Sequence, residues 1–332
     1  MRLLIAYDGS ESADSALDDL THAGLPADGE ALVMTVAEVW LPPPPPSACE
    51  IVEMAAGAKG ALGLERNYMA TSQAVIDADK LAAKAAERLR ANFPKWKVNH
   101  EAVWGSPTLE LFSKAEEFKA DLILVGSHGR SALGRFFLGS ISQWLLNEAG
   151  CSVRIARGKL DEPDFPVRLI VGVDGSDNAN LAVEQVAARN WPEKSEVRVV
   201  SVYHELEPTV AGELVPIVGS FVDECNREEM KDSQQLAEKS AQLLRAKGIR
   251  AEAVVKAGDP KQVLVEFAEE WRADCVFLGA TGLSNSLERF LLRSVAGAVA
   301  ARAHCSVEIV RKKKHFPIDN NGNGSRRNYD NA

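Results

Sequence analysis

The nine residues RLLIAYDGS beginning at Arg2 return as RLIVGVDGS at Arg168. A chain that writes one segment twice at that spacing is built from two copies of one fold. VMTVAE at Val33 is answered by VVSVYH at Val199, with the same offset of 166. Further along the offset falls to about 153, where GSP at Gly105 meets GDP at Gly258 and ADLILVG at Ala120 meets ADCVFLG at Ala273. CSVRIAR at Cys151 then matches CSVEIVR at Cys305. The first copy therefore carries about 13 more residues between Leu41 and His100, a window that holds the run LPPPPP. Its five prolines, Pro42 to Pro46, favour an extended polyproline II segment, as a stiff loop or a docking peptide.

Within each copy, short continuous apolar runs such as LLIA and LIVGV alternate with amphipathic stretches. The runs read as parallel strands buried on both faces. Leu81, Ala85 and Leu89 give the stretch from Ile76 to Phe93 one apolar helical stripe, and Val263, Phe267 and Trp271 do the same later. Ser106-Pro107 and Asp259-Pro260 are matched helix starts, a side-chain acceptor followed by proline. His100, alternating with Val98, Ala102 and Trp104, reads as a satisfied core histidine. Strands alternating with helices imply two tandem open-sheet α/β domains, helices covering both faces of each parallel sheet. The expected bounds are residues 1–158 and 167–311, joined by a linker at 159–166 where proline and charge break the periodicity. Residues 312–332 are expected to form a disordered polar tail. The apolar stretch LVPIVGSFV, Leu214 to Val222, reads as a buried lid or a contact surface between chains.

Composition excludes several function classes. The net charge of −9 disfavours nucleic acid and anionic membrane surfaces as partners. No apolar run approaches membrane-spanning length, and Asp8 arrives too early for a signal peptide. The five cysteines, Cys49, Cys151, Cys225, Cys275 and Cys305, form no CxxC pair and read as reduced residues of a cytoplasmic protein. No metal site is legible from side-chain spacing.

Ligands of open α/β sheets bind at the carboxyl ends of strands where strand order reverses. Two segments of the first copy end strands there, YDGS at Tyr7 and GSHG at Gly126. After a gap of nine residues from Gly129 stands Gly139-Ser140, opening the helix ISQWLLNEA. Free N–H groups and the positive dipole end favour anions there, and glycine removes the Cβ that would hold a phosphate off the backbone.

This G-x-x-G, nine-residue gap, G-[ST] arrangement, with DGS after the first strand of both copies, resembles the universal stress protein family in its tandem form, over about 310 of 332 residues. The resemblance implies five-stranded parallel sheets of order 3-2-1-4-5, with the last strands pairing the two domains as an internal pseudo-dimer. It implies an adenine nucleotide, ATP with or without Mg²⁺, in the crevice. Asp8 would then contact the adenine edge and the Val36 backbone would hydrogen-bond the base. Gly126 and Gly129 would border ribose and the first phosphates, with Ser127 and His128 between them, and Gly139, Ser140 and Ile141 would hold the phosphate tail. The second copy keeps Asp174, Val202, Gly279 and Gly282, but Arg293 stands where the later glycine belongs, ahead of Ser294. Either Arg293 neutralises phosphate from a new direction or it fills a degenerate site. His128, matched by Thr281, is expected to shape its loop rather than act as a base, so no catalytic residue is assigned. The expected function is a nucleotide-responsive stress regulator with an unknown protein partner and room for a further homodimer. The alternatives are a slow ATPase or phosphotransferase, against which the absence of GxxxxGK[ST] speaks, and a nucleotide-independent, chaperone-like module. The absence of GxGxxG after the first strand argues against a dinucleotide oxidoreductase.

Overall fold

The computed structural model describes residues 1–39, 61–128, 138–157, 166–206, 216–280 and 294–313. The polyproline run, the joint, Gly129, Gly282, Arg293 and the tail from residue 314 lie outside them. In the first half, β1 (Arg2–Ala6), α1 (Glu11–Asp19), β2 (Glu30–Ala37), α2 (Ala61–Asn92) and β3 (Lys97–Trp104) lead to α3 (Pro107–Glu117), β4 (Leu122–Gly126), α4 (Ser140–Glu148) and β5 (Ser152–Ala156). The second half repeats them as β6 (Arg168–Val173), α5 (Asp177–Ala187), β7 (Glu196–Tyr203), α6 (Pro216–Ala246), β8 (Arg250–Ala257), α7 (Pro260–Glu270), β9 (Cys275–Gly279), α8 (Val295–Arg302) and β10 (Ser306–Val310).

All ten strands form one sheet of order β3-β2-β1-β4-β5-β10-β9-β6-β7-β8. Each half is parallel with order 3-2-1-4-5, and the only antiparallel seam among these pairings is β5 against β10. The expected architecture is thus present, including the pseudo-dimer. On one face each half keeps a private core: Leu3, Ile5, Val33 and Leu124 under Leu17, Ala82, Ala86 and Leu89 in the first. Leu169, Val171, Val199 and Phe277 lie under Val183, Ala241 and Leu244 in the second. On the other face Leu4, Ile123, Val153 and Ile155 join Ile170, Val276, Val307 and Ile309 in one core that crosses the seam. Burial of adjacent residues on both faces is why these strands are unbroken apolar runs.

The seam carries charge within that apolar setting. Register places Arg154 opposite Glu308, and both are almost wholly buried. Arg154 Nη1 donates to Glu308 Oε2 at 3.2 Å, while its Nε and Nη2 donate to Asp19 at 2.5 and 3.1 Å. Arg189 donates to the other side of Glu308, with Nη1 to Oε2 at 2.9 Å and Nη2 to Oε1. Ser306 Oγ completes the cluster, donating to Asp19 at 2.7 Å. Burial alone would lower the Arg154 pKa; the carboxylates more than offset it, so the guanidinium stays charged.

Several sequence expectations are corrected. His100 is exposed on the outermost strand of its half, its Nε2 3.5 Å from Asp79. Edge strands release alternate positions to solvent, which period alone does not reveal. In α7 the buried stripe is Leu264 and Ala268, one residue on from the larger side chains. Phe267 and Trp271 instead stack beside it under Lys256 and Arg198. Ser106 makes no cap bond, its hydroxyl lying 3.0 Å from Thr108 Oγ1, whereas Asp259 accepts from Lys261 N at 3.0 Å. From Pro216 onward the apolar stretch is helical, and Phe221 is 67% exposed, so at that residue it is no buried lid. The chain remains anchored beyond Lys312, since Lys313 Nζ meets Asp121 Oδ1 at 2.8 Å.

Candidate nucleotide site at the sheet switch point

Strand order reverses between β1 and β4, which lie side by side through Leu3 opposite Leu122 and Ile5 opposite Leu124. Chain leaves this point in two directions, and among the described residues Asp8 follows β1 while Gly126, Ser127 and His128 end and follow β4. After β1, Gly9 takes φ +75°, a conformation natural to glycine. Asp8 Oδ1 accepts from Ser10 N at 3.0 Å, and Ser10 Oγ caps α1 by accepting from Ala13 N at 3.2 Å. One carboxylate oxygen of Asp8 thus braces the turn. The second half reproduces this with Asp174, Gly175 at φ +80° and Ser176.

Successive residues of a parallel strand direct their peptide groups to alternate neighbours. Met34 O accepts from Tyr7 N at 2.9 Å, so Met34 faces β1; Ala37 O accepts from Gly105 N at 3.1 Å, so Ala37 faces the opposite side. Val36 shares the direction of Met34 but lies beyond the end of β1. Its N–H and C=O are therefore turned toward the crevice, a donor and acceptor pair of the kind a purine edge requires. Val202 is placed alike, since Tyr203 O accepts from Gly258 N at 3.0 Å on the other side.

At the end of β4 the structure assigns the glycine a packing duty. A Cβ on Gly126 would lie 2.3 Å from Ser12 Oγ and 2.9 Å from Ser12 backbone, so the start of α1 occupies the space glycine leaves. Gly279 is in the same position, with a Cβ meeting Asn178 C at 2.3 Å. Ser127 is buried, and its Oγ lies 2.9 Å from His128 Nδ1. His128 N donates to Ser12 Oγ at 3.3 Å, tying the loop to α1. These bonds give His128 no acidic orienter.

The helix beyond is where the halves differ. Gly139 N donates to Ser127 O at 2.8 Å, and Ser142 Oγ donates to Gly126 O at 2.8 Å, which pins the start of α4 to the end of β4. Gly139 is the N-cap and makes no side-chain cap bond. The cap thus lays no side chain of its own over the leading N–H groups of Ser140 and Ile141, and Ser140 is exposed. In α8 the helix begins one position later, and Ser294 Oγ caps it by accepting from Gly297 N at 3.0 Å. The second half thus spends on its own helix the hydroxyl that the first half leaves at the surface.

Sequence reasoning does not single out Ser12 and Ser142, because a small serine on a helix carries no motif. It misses Tyr7 too: the tyrosine hydroxyl donates to Asp14 Oδ1 at 2.8 Å, and burial followed by that hydrogen bond pushes its pKa up to about 12. Among the described residues no three His, Cys, Asp or Glu side chains converge as a metal site, and no helix is long and apolar enough to cross a membrane.

A family model described as the universal stress protein family matches residues 1–157 and again 167–311. The chain belongs to the universal stress protein family. Among relatives, the universal stress protein Rv2005c of Mycobacterium tuberculosis is 26% identical over 318 residues, 93% of this chain and 97% of its own. Universal stress protein MJ0531 of Methanocaldococcus jannaschii is 32% identical over 150 residues, 44% of this chain and 83% of its own. Among solved structures, a universal stress protein from Archaeoglobus fulgidus superposes with a TM-score of 0.61 at 18% identity, covering 95% of this chain and 97% of its own. The double match of the family model agrees with the duplicated segment, and the superposition agrees with the fold.

Proposed function

We propose that this universal stress protein binds an adenine nucleotide, ATP, in its first half, and that occupancy of the crevice regulates its conformation or partner choice. The observation that carries this is the glycine-capped start of α4. Uncapped N–H groups with the positive end of a helix dipole favour an anion by about 0.3–2 kcal/mol, and each charge-assisted hydrogen bond adds about 1.5–3 kcal/mol. The phosphates lie against Gly139, Ser140 and Ile141, with the Ser140 hydroxyl donating to them. The base lies toward Val36, its edge matched by the peptide groups of that residue and by the carboxylate oxygen of Asp8 not engaged by Ser10. Ser127, His128, Gly126 and Gly129 border the sugar and the first phosphates. No protein ligand for Mg²⁺ is assigned. The second half, with Asp174, Val202, Gly279, Gly282, Arg293 and Ser294, keeps the base side and binds more weakly, because Ser294 is committed to its own helix.

The reading is tested by thermal denaturation with and without ATP. Ligand that binds only the folded chain raises the melting temperature, by about 2.7 kcal/mol of stabilisation at a hundredfold excess over Kd. Asp8→Ala is expected to reduce that shift. An unchanged melting temperature with ATP at millimolar concentration would count against the proposal. Phosphate release no faster than in Gly139→Arg is expected, since no base or metal-holding carboxylate pair is assigned.

A further inference from the structure

At the end of the second half opposite the crevice, the turn after α5 and the turn between α6 and β8 line a half-open concavity of about 550 Å³. The repeat explains its origin. In the first half Trp96 fills this place, its ring 2.9 Å from where a Cβ of Gly29 would be and its Nε1 donating to Pro26 O at 3.0 Å. The matching residues of the second half are Ile249 and Ser195, and the smaller side chain leaves the space open.

The charge of the place is altered as well. Lys194 stands where the first half has Asp28, and Lys247 where it has Pro94. Arg250 replaces Lys97, which is paired with Glu30 at 3.0 Å. Lys194, Lys247 and Arg250 all line the concavity, are exposed, and make no ion pair among the described residues. Glu193 is the one acidic residue among the lining, and Arg189 is already matched by Glu308. Three cations without an ion pair among the described residues thus face one hollow against the single carboxylate of Glu193, in a chain of net charge −9. Like charges brought together repel, and a bound counter-charge adds to the relief that water and salt give them.

We infer that this groove is a binding site for a small polyanion, a ligand carrying two or more phosphate or carboxylate groups, separate from the nucleotide crevice. Two lysine point charges beside the Arg250 fork suit a ligand carrying several charged groups better than one carboxylate. The near wall joins the domain seam, since Asn190 N donates to Gly24 O at 3.0 Å. A ligand here therefore touches the element that connects the halves.

The test uses calorimetric titration of the full chain with inorganic tripolyphosphate, and in parallel with citrate. Gly139→Arg, which blocks the crevice, is expected to retain saturable tripolyphosphate binding. Adding Lys194→Gln, Lys247→Gln and Arg250→Gln to it is expected to weaken that binding at least about tenfold. Ile249→Trp restores the plug of the first half and, added to Gly139→Arg on its own, is expected to abolish the same binding, so the result does not hang on one variant. Citrate binding as tight as tripolyphosphate would assign a polycarboxylate, and weaker citrate binding an oligophosphate; both uphold the site. No saturable binding in Gly139→Arg, or binding indifferent to both groove variants, would overturn it. If the nucleotide reading alone fails, native chain and Gly139→Arg bind tripolyphosphate alike while the groove variants still lose it.

Discussion

Replacing Glu308 by glutamine keeps the shape of the side chain, removes its charge and so unbalances the seam. Arg154, Arg189, Asp19 and Glu308 balance to zero, with side chains 1%, 6%, 2% and 0% exposed. Glutamine leaves one positive charge in excess where water cannot reach it. Whichever way its amide is turned, an NH₂ group points at a guanidinium that donates only. Breaking a buried pair by removing one partner costs about 3–5 kcal/mol, through the charge left behind. At about 2–4 °C per kcal/mol for chains of about 150–250 residues, and less for a longer one, the melting temperature should fall by at most roughly 6–20 °C. Glu30→Gln is the control: its partners Lys97 and Arg2 have side chains 73% and 46% exposed, and such pairs contribute about 0–1 kcal/mol each. Urea unfolding monitored by tryptophan fluorescence, with calorimetric melting, measures both. A loss for Glu308→Gln no larger than for Glu30→Gln would refute the argument that seam charges are paired and dry.

The steric duty of Gly279 is equally exposed to test. Gly279→Ala forces a methyl toward the backbone of Asn178, 2.3 Å away, and overpacking of this kind costs about 1–3 kcal/mol, read as a lower urea midpoint. Alkaline stability depends on the thiols. Burial pushes Cys151 and Cys305 up from 9.0 to about 12, and Cys275 further. A folded-state pKa raised this way contributes stability that is complete below pH 9 and lost as pH rises from 9 toward 12. Stability is therefore expected to decline over that window, and Cys305→Ala to decline less steeply, by about 1.4 kcal/mol per pH unit. Equal slopes for the two proteins would contradict it. The melting-temperature response to ATP and the tripolyphosphate titration complete the set.

The fold is legible in the sequence because three independent patterns agree: the duplicated segment, the unbroken apolar runs and the helix starts at Pro107 and Pro260. Less is legible where a residue's role depends on chain far away in sequence. Arg154 and Glu308 hold the same place in the repeated CSVRIAR and CSVEIVR, yet nothing local says that they face each other, or that Asp19 reaches Arg154 from 135 residues away. His100 alternates with apolar neighbours, but an edge strand has one side in water. Gly126 reads in sequence as bare backbone for a ligand, and the structure gives its missing side chain's space to Ser12. The difference between α4 and α8 shows in sequence as Arg293 against Gly139. The described residues add a capping bond, Ser294 to Gly297, that depends on where each helix begins.

Isothermal titration of ATP into the native chain and into Gly139→Arg bears most directly on the glycine-capped helix start. The account predicts one strong site per chain, weakened by about a hundredfold or more when the arginine covers the N–H groups of α4, with the folded state preserved by circular dichroism. Undiminished ATP affinity in Gly139→Arg, or two equivalent sites per chain, would contradict it.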